Sequence, residues 1–107
     1  MQAGDQRNSV RQRASGAGTI VVRDIAIPAT LVDVSPSGCK LRLPAEVTNL
    51  IGSLLPCDGR LSFFGLEYDA IAVWLTNGLL GCRFSEYLPL DHVAALLSGG
   101  RFPQSAP

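Results

Sequence analysis

The dipeptide Asn77-Gly78, placed between two runs rich in apolar and β-branched residues, constrains the fold of this chain more than any other feature. Asn-Gly is a preferred sequence for a two-residue β-hairpin turn, because both of its residues tolerate a positive φ. The flanking runs, Leu66–Leu75 and Leu79–Phe84, are therefore predicted to pair as antiparallel strands. An isolated hairpin is only marginally stable in water, so the chain needs further strands around it.

Four earlier segments have the composition of strands. One of them, Cys39–Leu43, alternates apolar and basic residues with a period of two, which is typical of a strand with one buried face. Another contains Pro28, which favours an edge position or a bulge. The four segments are Thr19–Val22, Ile25–Val34, Cys39–Leu43 and Arg60–Phe64.

About six strands and one terminal helix favour a mainly β fold, a six-stranded antiparallel barrel, because closure removes exposed strand edges. The helix is predicted at Pro89–Leu97 and ends at Gly99-Gly100, and a helical turn is predicted near Ala45–Leu50. The barrel with its helix is assigned to residues 19–98. Residues 1–18 are almost free of large apolar groups and are predicted to form a flexible arm, and residues 99–107 a disordered tail.

The composition of the chain predicts one small globular domain. Its 107 residues are 47% apolar, and nine basic residues balance nine acidic ones. A neutral chain has no overall positive field to attract a nucleic-acid polymer. The arm is locally basic, since Arg7, Arg11 and Arg13 face only Asp5 there. This excess of two positive charges suits a small dianion better than a long polyanion.

The three cysteines, Cys39, Cys57 and Cys82, are widely spaced and include no CxxC pair. We predict buried free thiols and no metal site. The sequence contains no apolar segment of signal-peptide type and no run of about 18 apolar residues. No membrane insertion and a cytoplasmic location are therefore expected.

Two short motifs carry the chemistry of the chain. Arg7 and Arg11 are four residues apart in the arm, and Asp33-Val34-Ser35-Pro36-Ser37-Gly38 follows an apolar strand. A carboxylate can accept hydrogen bonds from the N1–H and amino group of guanine, whereas a guanidinium can donate to O6 and N7. Two plainer interpretations stay open: an ordinary β-turn at residues 33–38 and a solvated basic tail at residues 1–13.

The spacing Arg-x-x-x-Arg followed by Asp-x-Ser-x-x-Gly resembles the PilZ family, bacterial receptor domains for cyclic di-GMP. Val73-Trp74 and the segment Gly81–Phe84 also resemble the late hairpin of that family, so the resemblance covers roughly residues 5–98. It implies a six-stranded barrel with a C-terminal helix. It also implies that the arginines hold the guanines and phosphates of the ligand, while the second motif surrounds a guanine.

The resemblance implies that cyclic di-GMP is bound by five residues, Arg7, Arg11, Asp33, Ser35 and Gly38. Trp74 either lines the edge of this site or is a half-buried strand aromatic. The arm has Asn8, Ser9 and Val10 where many family members have further arginines.

The sequence contains no nucleophile elbow, P-loop or paired-carboxylate motif. Its single histidine, His92, has no catalytic partner in the sequence. We therefore expect no enzyme activity and no cofactor. The expected function is a cyclic di-GMP receptor that passes its signal to an unknown downstream protein when its arm becomes ordered. The alternative is a PilZ-like interaction module that binds a protein and no nucleotide. A single-stranded nucleic-acid-binding barrel would need more basic and aromatic surface.

Overall fold

The computed structural model describes residues 10–103. The strands in this range are β1 (Gln12–Arg13), β2 (Ala17–Val22), β3 (Ile25–Val34), β4 (Gly38–Arg42), β5 (Cys57–Phe63), β6 (Leu66–Thr76) and β7 (Leu79–Phe84). A 3-10 turn at Ala45–Val47 leads into helix α1 (Thr48–Gly52), and helix α2 (Leu90–Leu97) follows the last strand. The predicted helical turn and the predicted terminal helix are both confirmed.

Strands β2 to β7 close into a six-stranded antiparallel barrel. Around the barrel the order is β3, β2, β5, β6, β7 and β4, and the pairing of β4 with β3 completes the ring. Strand β1 is an extra strand that pairs with β3 outside the ring. The predicted fold class is therefore confirmed.

Three two-residue turns connect neighbouring strands of the barrel. In each turn both residues have a positive φ, which is the type I′ pattern that matches the right-handed twist of a hairpin. The φ values are 53° and 68° at Arg23-Asp24, 56° and 78° at Phe64-Gly65, and 53° and 79° at Asn77-Gly78. The predicted turn at Asn77-Gly78 is confirmed.

The core consists of the inward-facing residues of all six barrel strands, together with Ile51 of α1 and Val93 and Leu96 of α2. Leu41, Val34 and Leu80 are fully buried. Cys39 and Cys82 lie opposite each other on β4 and β7, and both are buried free thiols as predicted, whereas Cys57 is only half-buried. A hydrogen bond to Cys82, together with burial, raises the pKa of the Cys39 thiol well above its usual value.

A β-bulge interrupts β3. Strand residues alternate between the two faces of a sheet, and Ile27, Ala29 and Leu31 face the core in that way. The pairing with β4 then shifts by one residue between Leu31 and Asp33. The shift turns Asp33 to the outer face and returns Val34 to the core.

A second bulge has the same effect in β6. Ala70 and Ala72 face the core, and the pairing with β7 shifts between Ala72 and Trp74. The extra residue turns Trp74 outward, where its side chain is exposed, and leaves the half-buried Leu75 packed against the core. The sequence indicated an edge position or a bulge at Pro28, but Pro28 pairs in regular register with Thr19. The bulges after Leu31 and after Ala72 were not predicted.

The structure differs from the predicted arm in its described part. Gln12–Arg13 pairs with β3, the Ala14 amide donates to the Val32 carbonyl at 2.9 Å, and β2 begins at Ala17 rather than Thr19. The physical reason is that the pairing of β2 with β3 ends at Thr30, so β1 supplies hydrogen bonds to the free edge beyond it. Mobility of the arm upstream of Gln12 stays a prediction.

The described part of the predicted tail, residues 99–103, contacts helix α2. The Gly100 amide donates to the Ala95 carbonyl at 2.7 Å, and the Phe102 ring meets the His92 ring edge-on at 4.9 Å between centroids. Within residues 10–103, no helix is long and apolar enough to cross a bilayer.

Candidate functional site

The turn at residues 35–38 is held by the hydroxyl of Ser35. This side chain is fully buried, and its Oγ accepts hydrogen bonds from the amides of Ser37 and Gly38, each at 3.3 Å. The Ser35 amide donates to the Gly38 carbonyl at 2.8 Å. Ser35 therefore fixes the turn from inside. Its assignment as a ligand-contacting residue stays a prediction.

Gly38 is required by close packing rather than by its backbone dihedrals. Gly38 does not have a positive φ, so its conformation alone does not require glycine. A Cβ at this position would overlap the backbone carbonyl oxygen of Cys82 on β7. The motif glycine thus lets β4 and β7 approach each other directly below the turn.

A row of residues crosses the outer surface of four adjacent strands. Asp33 of β3 lies opposite Lys40 of β4, Lys40 lies opposite Gly81 of β7, and Gly81 lies opposite Trp74 of β6. The two bulges bring the ends of this row to the outer face, because without them Asp33 and Trp74 would point into the core. The row places a carboxylate, a cation and an indole next to one another.

Asp33 is paired with two cations. Its Oδ1 accepts a hydrogen bond from Arg11 Nη1 at 2.8 Å, and its Oδ2 lies 3.6 Å from Lys40 Nζ. The Asp33 side chain is 14% exposed and that of Arg11 is 36% exposed. The structure thus brings together two of the predicted site residues, Arg11 from the first motif and Asp33 from the second.

Trp74 forms the opposite wall of the site. Its indole covers Gly81, where a Cβ would overlap the ring, and Lys40 Nζ lies 6.0 Å from the ring centroid. A shallow pocket of about 170 Å³ lies between Arg11, Ser37, Trp74 and neighbouring residues of β6 and β7, including Arg83. Trp74 is thus an exposed strand aromatic that lines this pocket, and its contact with a ligand stays a prediction.

The site is positively charged overall. Arg11 and Lys40 pair with the carboxylate of Asp33, and Arg83 lines the pocket beside Trp74. Arg13 lies opposite Asp33 on β1 and lines a neighbouring groove. Arg7 lies outside the described residues, so the structure does not test its predicted role.

Sequence reasoning missed Lys40 and Arg83. Lys40 was assigned only to the polar face of an alternating strand, and Arg83 only to the late hairpin. Their position could have indicated them. Each is an outward-facing strand residue next to the turn: Lys40 lies two residues after Gly38, and Arg83 lies opposite Gly38.

A comparison with family models matches the PilZ domain over residues 5–98. This match covers most of the chain and includes both motifs. The chain belongs to the PilZ domain family. A comparison with curated proteins gave no match. PilZ domains are generally cyclic di-GMP receptor domains, and they act as binding and regulatory modules rather than as enzymes.

We expect Ser35→Ala to destabilise the PilZ domain by about 1–3 kcal/mol, because the buried amide of Gly38 and the partly buried amide of Ser37 would lose their acceptor. The matched control is Ser53→Ala. The Ser53 hydroxyl donates to the Leu50 carbonyl on the exposed surface, so its loss should change stability by no more than about 0.5 kcal/mol. Chemical denaturation of both variants measures the difference. Equal unfolding free energies would contradict the anchoring role of Ser35.

We expect Gly81→Ala to displace the Trp74 indole and to destabilise the domain by about 1–3 kcal/mol, because the added methyl group overlaps the ring. Trp74 is the only tryptophan, so its fluorescence emission reports the displacement directly. Gly52→Ala is the control, since its Cβ would lie 3.7 Å from Leu75 in ordinary contact. An unchanged emission spectrum in Gly81→Ala would contradict the packing of the Trp74 indole on Gly81.

Proposed function

We propose that this PilZ domain binds cyclic di-GMP on the outer surface of β4 and β7, between Asp33 and Trp74. The observation that carries the proposal is the row Asp33, Lys40, Gly81, Trp74, with Arg11 paired to its first member. The family match supports the same ligand. Each group in the row has a chemical use toward a guanine nucleotide.

Recognition of guanine follows from the hydrogen-bonding groups present. Asp33 accepts from the N1–H and amino group on one edge of the base, and an arginine of the Arg-x-x-x-Arg motif donates to O6 and N7 on the other edge. The indole of Trp74 offers a flat, half-exposed face against which a purine can stack. Adenine lacks the N1–H and O6, so this set discriminates against cyclic di-AMP.

The phosphates of the ligand are balanced by the surplus of positive charge. Cyclic di-GMP carries two phosphodiester charges, and Arg11, Lys40 and Arg83 exceed the charge of Asp33 by two. Arginine suits this role because one guanidinium can pair with a phosphate and stack on a base at the same time. Arg7, four residues before Arg11, would supply a second guanidinium from the arm.

The Arg11–Asp33 ion pair keeps both side chains in place before the ligand arrives. A pair with this much exposure contributes only about 0–1 kcal/mol to stability, so separating it costs little. The ligand can therefore replace each half of the pair with a stronger, bidentate contact.

The signal would pass to a partner by ordering of the arm upstream of Gln12. Fixing each backbone residue costs about 1–2 kcal/mol, which the arginine contacts must exceed. A micromolar complex, about −8 kcal/mol, is the expected affinity. The ordered arm and the ligand together would form a new surface beside β1.

A second candidate function is an interaction module that binds a protein and no nucleotide. The observation that favours it is that Asp33 is already neutralised by Arg11 and Lys40 within the described structure. Titration with cyclic di-GMP separates the two functions directly.

In calorimetric titrations, we expect Arg7→Ala, Arg11→Ala and Asp33→Ala each to weaken cyclic di-GMP binding by at least tenfold, equivalent to about 1.4 kcal/mol. The Asp33 variant is decisive because it removes a negative charge and yet should bind less well, since a lost base contact outweighs relieved repulsion. Arg60→Ala is the matched control, because Arg60 is an exposed arginine whose ion pairs are on Glu67 and Asp69.

Two outcomes would contradict this assignment. Unchanged affinity in Arg7→Ala and Arg11→Ala would show that the arm does not hold the ligand, and tighter binding by Asp33→Ala would exclude contact between its carboxylate and the base. Melting curves of each variant, and titrations with cyclic di-AMP and GTP, separate loss of folding and general anion binding from specific recognition.

If the signal passes to a partner by ordering of the arm, bound cyclic di-GMP should protect the backbone amides around residues 7–11 from hydrogen exchange. The barrel strands should change little. Without ligand, amides upstream of Gln12 should exchange fast, while the hydrogen-bonded Ala14 amide should be partly protected. Mass spectrometry or NMR of the free and saturated protein measures both states. An arm that is equally protected in the two states would exclude this relay even if binding were confirmed.

A further inference from the structure

A second pocket, of about 340 Å³, lies between β6, the segment that follows β7, and α2. We refer to it as the acidic pocket. Its chemistry is opposite to that of the candidate ligand site. The side chains that determine this chemistry are Glu67, Tyr68, Asp69, Glu86, Tyr87 and His92.

Negative charge is concentrated around the acidic pocket. Three carboxylates line it, and Asp91 of α2 is close enough to help raise the pKa of Tyr68, after the larger effect of burial. Arg60 pairs with Glu67 at 3.3 Å and with Asp69 at 3.2 Å. The side chains of Arg60, Glu67 and Asp69 are all more than half exposed, so these ion pairs contribute little to stability. A second cation can therefore compete for the two carboxylates. Among residues 10–103, Glu86 and Asp91 have no ion pair.

Aromatic rings form the wall of the acidic pocket. The Tyr68 hydroxyl and His92 Nδ1 are joined by a hydrogen bond of 2.7 Å, and the two rings meet edge-on at 5.6 Å. Phe84 packs against Tyr68, and Phe102 packs against His92. These contacts fix the wall, while Tyr87 is 62% exposed at its rim. Tyrosine faces beside carboxylates attract guanidinium and ammonium groups through charge and cation–π interaction.

The pocket is connected to the binding turn through the backbone. The Leu88 amide donates to the Pro36 carbonyl and the Phe84 amide to the Ser37 carbonyl, both at 2.9 Å. The segment that carries Glu86 and Tyr87 is therefore attached at both ends to residues of the Asp-x-Ser-x-x-Gly turn. A displacement of the turn would move one wall of the acidic pocket.

We propose that the acidic pocket is a docking site for an arginine or lysine side chain from a basic segment of a partner protein. Its volume lies near the lower end of the range of about 300–1,000 Å³ for ligand pockets, which suits one long side chain. Its negative charge repels nucleic acid and anionic lipid surfaces. Within the described residues, no group of His, Cys, Asp and Glu can hold a metal ion. Its connection to the turn makes it a second contact, besides the ordered arm, through which ligand binding reaches the partner, a role that rests on the proposed function.

The test is an NMR titration of the full chain with N-acetyl-arginine amide, alongside N-acetyl-citrulline amide, which has nearly the same shape and no charge. We expect saturable shifts at residues 67–69 and 85–92, a dissociation constant on the order of millimolar, and binding at least fivefold weaker for the citrulline compound. Glu86→Gln and Tyr87→Ala should each weaken arginine amide binding at least threefold. Glu46→Gln, an exposed acid in the 3-10 turn, should not.

Shifts spread over all acidic surfaces, or equal binding of the two compounds, would overturn the docking site. A gain in arginine amide affinity in Arg7→Ala would show that the arm of the same chain occupies the pocket, which would also overturn the proposal. Repeating the titration with saturating cyclic di-GMP should change the affinity for arginine amide at least twofold. An unchanged affinity would exclude coupling between the ligand site and the acidic pocket. If cyclic di-GMP does not bind, the docking site is still tested by the first titration, so the two failures are distinguishable.

Discussion

Two single-residue bulges determine where the chemistry of this domain is displayed. Alternation along β3 places Ile27, Ala29 and Leu31 in the core, and a regular strand would place Asp33 there as well. An ionised carboxylate inside an apolar barrel would cost several kcal/mol even after relaxation. The bulge between Leu31 and Asp33 avoids that cost and places the carboxylate among cations on the outer face. The bulge before Trp74 likewise turns an indole from the core to the surface.

The regular pairing of β4 with β7 positions the site as much as the two bulges do. Strands β4 and β7 pair without a shift from Gly38 opposite Arg83 to Arg42 opposite Leu79. They lie between the two bulged strands, so they act as a fixed frame that sets the separation of Asp33 and Trp74. Gly38 allows the close approach of this frame below the turn, and Gly81 provides the space that the indole covers. A side chain at Gly38 would therefore overlap the β7 backbone, and one at Gly81 would overlap the indole.

Much of the fold was predictable because its signals are local. Asn77-Gly78 specifies a hairpin by its own dihedral preferences, and the alternation of Cys39–Leu43 follows from burial of one face of the sheet. The positions of the bulges were not predictable, because Val32 and Val73, the residues at the two shifts, are ordinary strand formers. Strand β1 was missed for a different reason. Gln12 and Arg13 have no apolar side chain to bury, and they pair only because β3 has a free edge at that point. Lys40 was missed because its partners come from β3 and β6.

The zero net charge of the chain conceals two surfaces of opposite sign. Basic groups gather on the outer face of β4 and β7, whereas acidic groups gather between β6 and α2. A single turn separates these surfaces: Ser35 fixes it from inside, and its Pro36 and Ser37 carbonyls hold the segment that lines the acidic pocket. An anion at the first surface and a cation at the second would therefore act on the same few backbone hydrogen bonds. Coupling between them needs no rearrangement of the barrel, because a shift of the turn alone alters both surfaces.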